Sequence, residues 1–245
     1  DAAIAVGAGG MSSWERCTLG LPTLLLVIAD NQRANAEALA AAGAARIVKP
    51  ETNALVEAIN ALAGDSAALE RMSRAASRLA DGIGAIRVSQ AVGELPCARD
   101  GQAVRLRPVT AEDSDLLLEL QRKPETRRFA RNRNIPSQAE HTCWMRGKLY
   151  DPGCFMNLIL LGETPAGVAR LDRLPEGYEV SIAVDPAYFR LGIGGITLTL
   201  LHQLVPEADL LAHVASDNIA SRSLFERAGY SEAEQSGWLR QRGLS

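Results

Sequence analysis

The chain has 245 residues, 47% hydrophobic and 22% charged, with a net charge of −3 and a pI near 5.7. That length holds one large or two small domains of ordinary globular composition. The acidic balance gives no electrostatic reason to expect nucleic acid or an anionic membrane as a partner. The longest apolar run, from Leu19 to Ala29, is broken by Gly20 and Pro22. It is too short to span a bilayer and reads as a buried strand.

The first half is Ala-rich and alternates strands with amphipathic helices. The pattern predicts a strand at Ala2–Val6, a helix at Ser12–Leu19, a strand at Thr23–Ile28, and a helix at Arg33–Ala42 closed by Gly43 at C′. A short strand at Ala45–Val48 and helices at Thr52–Ala63 and Ser66–Leu79 follow. This β-α-β-α order implies a parallel sheet. The chain opens on Asp1, with no initiator Met and a strand-like run at once, so a preceding segment is expected. No secretory signal is visible. Cys17, Cys97, Cys143 and Cys154 lie far apart without metal-ligand spacing. They read as reduced structural thiols of a cytoplasmic protein with no metal site. Nothing in the sequence sets an oligomeric state.

The polar, turn-rich stretch Gly93–Gly101 marks a boundary, giving domains at 1–92 and 104–245 joined by a linker at 93–103. Beyond it, Val104–Pro108 alternates like an edge strand. Thr110-Ala-Glu-Asp113 is a capping box leading into a helix at Ser114–Gln121. Strands are predicted at Met156–Leu161, Ala166–Leu171 and Tyr178–Val184. A helix from Gly194, a strand at Leu210–Val214, a helix at Ser221–Ala228 and a last strand near Trp238–Arg242 complete the chain.

The most informative run is Val180-Ser-Ile-Ala-Val-Asp-Pro-Ala-Tyr-Phe-Arg-Leu-Gly-Ile-Gly-Gly195, a strand, a turn and a Gly-rich loop opening a helix. Glycines let backbone N–H groups approach a ligand, and the helix adds its positive dipole end, which together suit a pyrophosphate. The second element is Asn218-Ile-Ala-Ser221, then Arg-Ser-Leu-Phe-Glu-Arg-Ala-Gly-Tyr230. As a set, from Val104 to Arg242, these motifs resemble the GNAT superfamily of N-acetyltransferases.

The resemblance implies a mixed-sheet α/β domain with acetyl-CoA as cosubstrate. It implies that backbone groups near Ile182 and Val184 pair with the pantetheine arm between splayed strands. The loop Arg190, Leu191, Gly192, Ile193, Gly194 and Gly195 would hold the pyrophosphate, with Asn218 and Ser221 near the CoA arm. Strand alternation puts Glu179, Ser181 and Ala183 on one face. Glu179 and Ser181 are therefore the catalytic candidates, with Glu179 a base acting directly or through water, or else a solvated strand-end Glu. His213 is a further candidate on the fifth strand, or a structural His. Two positions depart from the family pattern. Phe189 stands where Arg or Gln is usual, and Phe225 stands where many relatives carry a Tyr acid, with Tyr230 reading as core.

The segment Gln121–Arg133 is crowded with Arg122, Lys123, Arg127, Arg128, Arg131 and Arg133, followed by His141 and Trp144. It reads either as a solvated face or as an acceptor pocket. Here it resembles amino-sugar acetyltransferases of nonulosonic acid pathways. That implies Arg128 and Arg131 on a diphosphate, and His141 and Trp144 on the acceptor.

In the first half, Gly9-Gly10, Trp14-Glu-Arg16, Gly20-Leu-Pro22 and Asp30-Asn-Gln32 resemble the C-terminal, nucleotide-sugar-binding domain of GT-B proteins. The nearest likeness is the UDP-sugar hydrolase of pseudaminic acid synthesis. The resemblance implies a diphosphate at Gly9 and Gly10, ribose at Glu15, and sugar at Asn31 and Gln32. Only part of that enzyme is covered, so hydrolysis is not expected. The fold expected overall is α/β: a partial Rossmann-like GT-B half-domain followed by a GNAT domain. The expected function is acetylation of a UDP-linked amino-dideoxy sugar, one step before hydrolysis. A CoA- or nucleotide-sugar-binding module with little catalysis, and an enzyme for a protein N-terminus or small amine, remain open as alternatives.

Overall fold

The computed structural model describes residues 3–80, 82, 84, 88, 93–149, 151, 153–233 and 237–243. The chain forms two compact units, one spanning Asp1–Gly84 with Tyr150–Pro152, the other Ala85–Leu149 with Gly153–Ser245.

In the first unit, strands β1 (Ala5–Ala8), β2 (Thr23–Leu26) and β3 (Ala45–Val48) form a parallel sheet in that order. Helices α1 (Ser12–Thr18), α2 (Arg33–Ala41), α3 (Thr52–Ala63) and α4 (Ser66–Leu79) connect and cover it. Consecutive residues of the central strand are buried on opposite faces. Leu25 packs with Cys17, Ala36, Leu39 and Ala76, and Leu24 packs with Val48, Ala58 and Leu62. A strand buried on both faces needs apolar residues in succession, as Leu24-Leu25-Leu26 supplies. Each such leucine contributes about 1.5–3 kcal/mol.

The first strand begins at Ala5, not Ala2, because its ladder starts where Thr23 follows Pro22, with Ala5 N–H donating to the Pro22 carbonyl at 2.8 Å. Asp1 and Ala2 lie outside the described residues. Likewise β2 stops at Leu26 rather than Ile28, opposite the last residues of both neighbours, Ala8 and Val48.

The second unit is built on a seven-stranded sheet among the described residues, ordered β4-β5-β6-β7-β8-β10-β9. Its strands are β4 (Val104–Pro108), β5 (Cys154–Leu161), β6 (Thr164–Leu174), β7 (Gly177–Val184), β8 (Leu210–His213), β9 (Ser231–Glu232) and β10 (Trp238–Gln241). The pair β7–β8 is parallel and the other pairs are antiparallel. The parallel pair needs a crossover, and α8 (Ile193–Leu204) supplies it.

On the near face lie α5 (Ser114–Arg122), α6 (Pro124–Arg128) and α7 (Gln138–Leu149). Leu117 and Met145 from these helices pack with Met156, Leu158 and Leu160 of β5. Helix α8 packs on β4, β6 and β7 and buries Ile193, Leu198 and Leu201. Helix α9 (Ile219–Arg227) precedes the last two strands. The predicted capping box forms, with Thr110 and Asp113 bonded reciprocally ahead of α5. The short helix α6 and strand β9 were not legible in the pattern. The first is a single Pro-led turn, and the second is two residues defined only by pairing with β10. The segment read as a linker contains a tight hairpin. Ala98 N–H donates to the Gln102 carbonyl, Val104 N–H to that of Pro96, and Cys97 bridges Ala103.

Candidate active site

The central strands part. β7 pairs with β6 along its whole length, from Gly177↔Leu174 to Val184↔Gly167. It pairs with β8 only at Tyr178↔Leu210 and Glu179↔Leu211. β8 turns instead to β10, from Leu210↔Gln241 to His213↔Trp238. Among the described residues, Val180 to Val184 therefore have no strand partner on the β8 side. Ile182 and Val184 sit on that open edge, so an extended ligand can add to it as a strand would.

Beyond the open edge, the chain passes a 3-10 turn at Pro186–Tyr188, held by Asp185. Asp185 accepts the Ala187 N–H at 3.0 Å and Lys123 Nζ at 2.6 Å. Burial works to raise the Asp185 carboxyl, and Lys123 with the Ala187 N–H overcomes it, holding the group below its ordinary value. Phe189 follows, half exposed. Arg190 is then left-handed (φ 68°), the one non-glycine residue with positive φ among those described. Gly192 is left-handed too (φ 84°) and is the N-cap of α8. Arg99 pins this loop from outside: its N–H donates to the Leu191 carbonyl at 2.9 Å and its Nη1 to that of Arg190 at 3.1 Å. With those carbonyls held by Arg99, the first-turn amides of Ile193, Gly194 and Gly195 are donors at a helix N-terminus, a ready anion site. Sequence reasoning missed Arg99, which lies 91 residues away along the chain.

Asn218 is the N-cap of α9, and its Oδ1 accepts the Ser221 N–H at 3.1 Å. Ser221 is half-buried in the first turn. Gly194 lies against α9, where an added Cβ would meet Leu224 at 3.0 Å. Phe225 and Tyr230 are both buried and pack edge to face at 4.9 Å. Burial pushes the Tyr230 phenol above its ordinary value, so it stays protonated within the core.

On the opposite face of β7, Glu179 stands directly across from Asp172 of β6. Glu179 is paired with Arg131, from the loop after α6, through Nη2 and, at 3.4 Å, Nη1. The Arg131 guanidinium also lies 5.5 Å above the Trp238 ring. His213 packs edge-on against the same ring at 5.4 Å. Ser181 is exposed, in register with Arg170.

Asp172 is held by Lys148 at 2.6 Å and Arg170 at 2.5 Å. Burial works to raise its carboxyl, but the two cations overcome this and hold it below its ordinary value of 3.8. A depressed folded-state pKa adds stability above the unfolded value, which is lost as pH falls through the folded one. The unfolding midpoint in urea should therefore drop on acidification below 3.8, and Asp172→Asn should flatten that drop. Beside this cluster, burial and then Asp172 push the Cys154 thiol up to about 12, so it is inert at neutral pH.

His141 is 1% exposed and its Nε2 lies 2.9 Å from the Ser114 carbonyl, so it ties α7 to α5 rather than facing a ligand. Burial holds its pKa below the ordinary value. Trp144 packs beside the α7–β5 core and carries Arg170 over one face of its ring at 5.5 Å. Arg128 lies over Phe129 at 5.1 Å, apart from the Arg131–Glu179 pair.

In the first unit the residues singled out follow the carboxyl ends of two adjacent parallel strands, where α/β sheets bind ligands. Gly9 and Gly10 follow β1, and Asn31 and Gln32 follow β2. Gly9 is buried, and its carbonyl accepts Asn35 Nδ2 at 2.6 Å. No atom lies within 4 Å of a Cβ placed on Gly10. Arg16 Nη2 donates to the Ala8 carbonyl at 2.9 Å. Glu15 and Asn31 are exposed, and the Gln32 Oε1 is buried without a hydrogen-bond partner.

A mixed sheet parted beside a glycine-led helix N-terminus sets an open strand edge next to an anion site. Residues 103–231, more than half the chain, match the family profile described as acetyltransferase (GNAT) domain, and the chain belongs to that family. By that membership it is an N-acetyltransferase, and acetyl-CoA is the cosubstrate the family implies. Residues 1–86 match the profile of the glycosyltransferase family 28 C-terminal domain.

The fold is similar to that of RimL, the ribosomal L7/L12 alpha-N-protein acetyltransferase, in complex with coenzyme A. That likeness has 17% identity, a TM-score of 0.51, and coverage of 57% of this chain and 94% of the other. An acetyltransferase from Thermus thermophilus is similar at 20% identity and a TM-score of 0.51, covering 56% and 96%. The aminoglycoside acetyltransferase AAC(6')-Ib, in complex with coenzyme A, is similar at 16% identity and a TM-score of 0.51, covering 57% and 95%. No curated protein matches. Among the described residues, no helix is long and apolar enough to cross a membrane.

Proposed function

We propose that the chain acetylates the amino group of a UDP-linked amino-dideoxy sugar in nonulosonic, pseudaminic-type, acid biosynthesis in the cytoplasm. The observation that supports this acceptor is the union, in one chain, of a glycosyltransferase family 28 C-terminal profile with a GNAT domain. On this reading 1–92 is the nucleotide-sugar-binding part of a UDP-sugar hydrolase, 93–103 connects, and 104–245 is the transferase. Gly9 and Gly10 receive a diphosphate, Glu15 the ribose, and Asn31 and Gln32 the sugar.

Acetyl-CoA supplies an activated acetyl thioester. The backbone at Ile182 and Val184 holds the pantetheine arm, and the loop Arg190–Gly195 holds the pyrophosphate, with Ser221 and the cap residue Asn218 beside them. Glu179 takes a proton from the bound ammonium, giving a neutral amine next to Ser181. That nitrogen forms the new bond to the acetyl carbon as the carbon–sulfur bond breaks. Solvent takes the second amine proton and gives one to the departing thiolate, because Phe225 carries no hydroxyl. Positioning supplies much of the rate.

Thiol release should be fastest with a UDP-amino sugar, against peptides and polyamines. Preference for a peptide or polyamine would replace this acceptor, and CoA binding without turnover would mark a binding module. Arg190→Gly should leave unfolding nearly unchanged. Relief of about 1 kcal/mol of left-handed strain offsets glycine's extra chain entropy. The same change should weaken CoA binding by about tenfold or more in calorimetry, through loss of a charge-assisted contact.

A further inference from the structure

The carboxylate proposed as base is not free. Both terminal guanidinium nitrogens of Arg131 engage Glu179, one on each carboxylate oxygen, so part of its acceptor capacity is turned toward N–H donors. Asp172, directly opposite, has its own cations in Lys148 and Arg170 and does not compete for Arg131. The Arg131 side chain is 59% exposed and sits on the loop between α6 and α7, so an incoming anion can reach its guanidinium, while the Glu179 side chain is 18% exposed. Trp238 lies under the guanidinium and offers a platform on which it can shift without losing its contact. A phosphate matches the arginine fork bidentately and carries more charge than the single carboxylate of Glu179, whose side chain is 18% exposed.

We propose that Arg131 is a specificity gate: an anionic group on the acceptor draws its guanidinium off Glu179, and only then is the carboxylate available to the amine. This rests on the reading of Glu179 as base. The acceptor class that opens the gate is an amine carrying a phosphate, as a sugar diphosphate does. Neutral amines meet a base still capped by arginine. Arg131 thus binds one end of the acceptor and positions the proton acceptor for the other.

The test compares a UDP-linked 4-amino-4,6-dideoxy sugar with the same sugar lacking UDP, in the full chain. The native protein should favour the UDP-linked form, with a difference in kcat as well as KM. Arg131→Gln should lower kcat/KM for the UDP-linked form by about 10- to 100-fold, the loss of a charge-assisted bidentate contact. It should also raise kcat for the free sugar, because Glu179 is released, and Arg131→Lys should restore part of the preference. A purely structural arginine cannot produce that gain. Equal losses on both acceptors, or no gain on the free sugar, overturn the gate. If Glu179→Gln keeps full rate on both sugars while Arg131→Gln still shifts the preference, the base assignment fails and the gate, as stated, fails with it. No turnover of either sugar overturns both the acceptor reading and the gate.

Discussion

Glu179→Gln is expected to lower kcat by about 10²- to 10⁴-fold, the usual contribution of a positioned acid–base group. The substitution keeps the shape of the side chain and a hydrogen-bond acceptor for Arg131, but removes the group that can take a proton. The folding cost should be small. The Arg131–Glu179 pair is largely exposed on the arginine side, and such pairs contribute about 0–1 kcal/mol. CoA affinity should be unchanged, because Glu179 lies on the face of β7 away from Val180 and Ile182. Steady-state thiol release with calorimetric CoA titration checks all three points. Full activity in the variant would remove Glu179 from the chemistry.

Gly177→Ala should be the most damaging single methyl in the second unit. Gly177 has φ 141°, a region L side chains avoid, and an added Cβ would stand 2.1 Å from the Asp209 carbonyl oxygen. That oxygen accepts the Tyr178 N–H at 2.9 Å, the bond that brings β7 alongside β8. Asp209 cannot retreat freely. Its carboxylate accepts the Gly243 N–H at 2.9 Å and Arg240 Nε at 2.8 Å. Backbone strain and a broken junction together should cost about 2–4 kcal/mol, read as a lower urea midpoint. Because the parting of β7 and β8 starts three residues later, at Val180, CoA binding should weaken as well. Gly147→Ala is the control. It lies within α7 with no atom near its Cβ, and should add about 0.5–1 kcal/mol.

Much of the fold was legible because local chemistry sets it. Thr110 and Asp113 mark a helix start whatever surrounds them, and Gly43, at φ 75°, ends α2 where the sequence places it. The glycine run at 192–195 likewise announces a loop meeting a helix. What the sequence could not show was decided by partners distant along the chain. Nothing local in His141 or Trp144 reveals that one is bonded to Ser114 and that the other carries Arg170 over one face of its ring. The Arg-rich stretch showed its charge but not its sorting, with Arg131 sent to Glu179, Arg128 to Phe129, and Arg127 to the carbonyls of Asn132 and Asn134. The parting of β7 from β8 is a property of pairing, which no single strand encodes.

The grip of Arg99 on the carbonyls of Arg190 and Leu191 bears on how the transferase half can be excised. A shortened chain starting at Val104 would keep β4 to β10 and α5 to α9 but lose the brace that sets the glycine loop. Such a piece should fold and still bind CoA poorly, whereas one starting a few residues before Pro96 would carry the whole hairpin and its clasp.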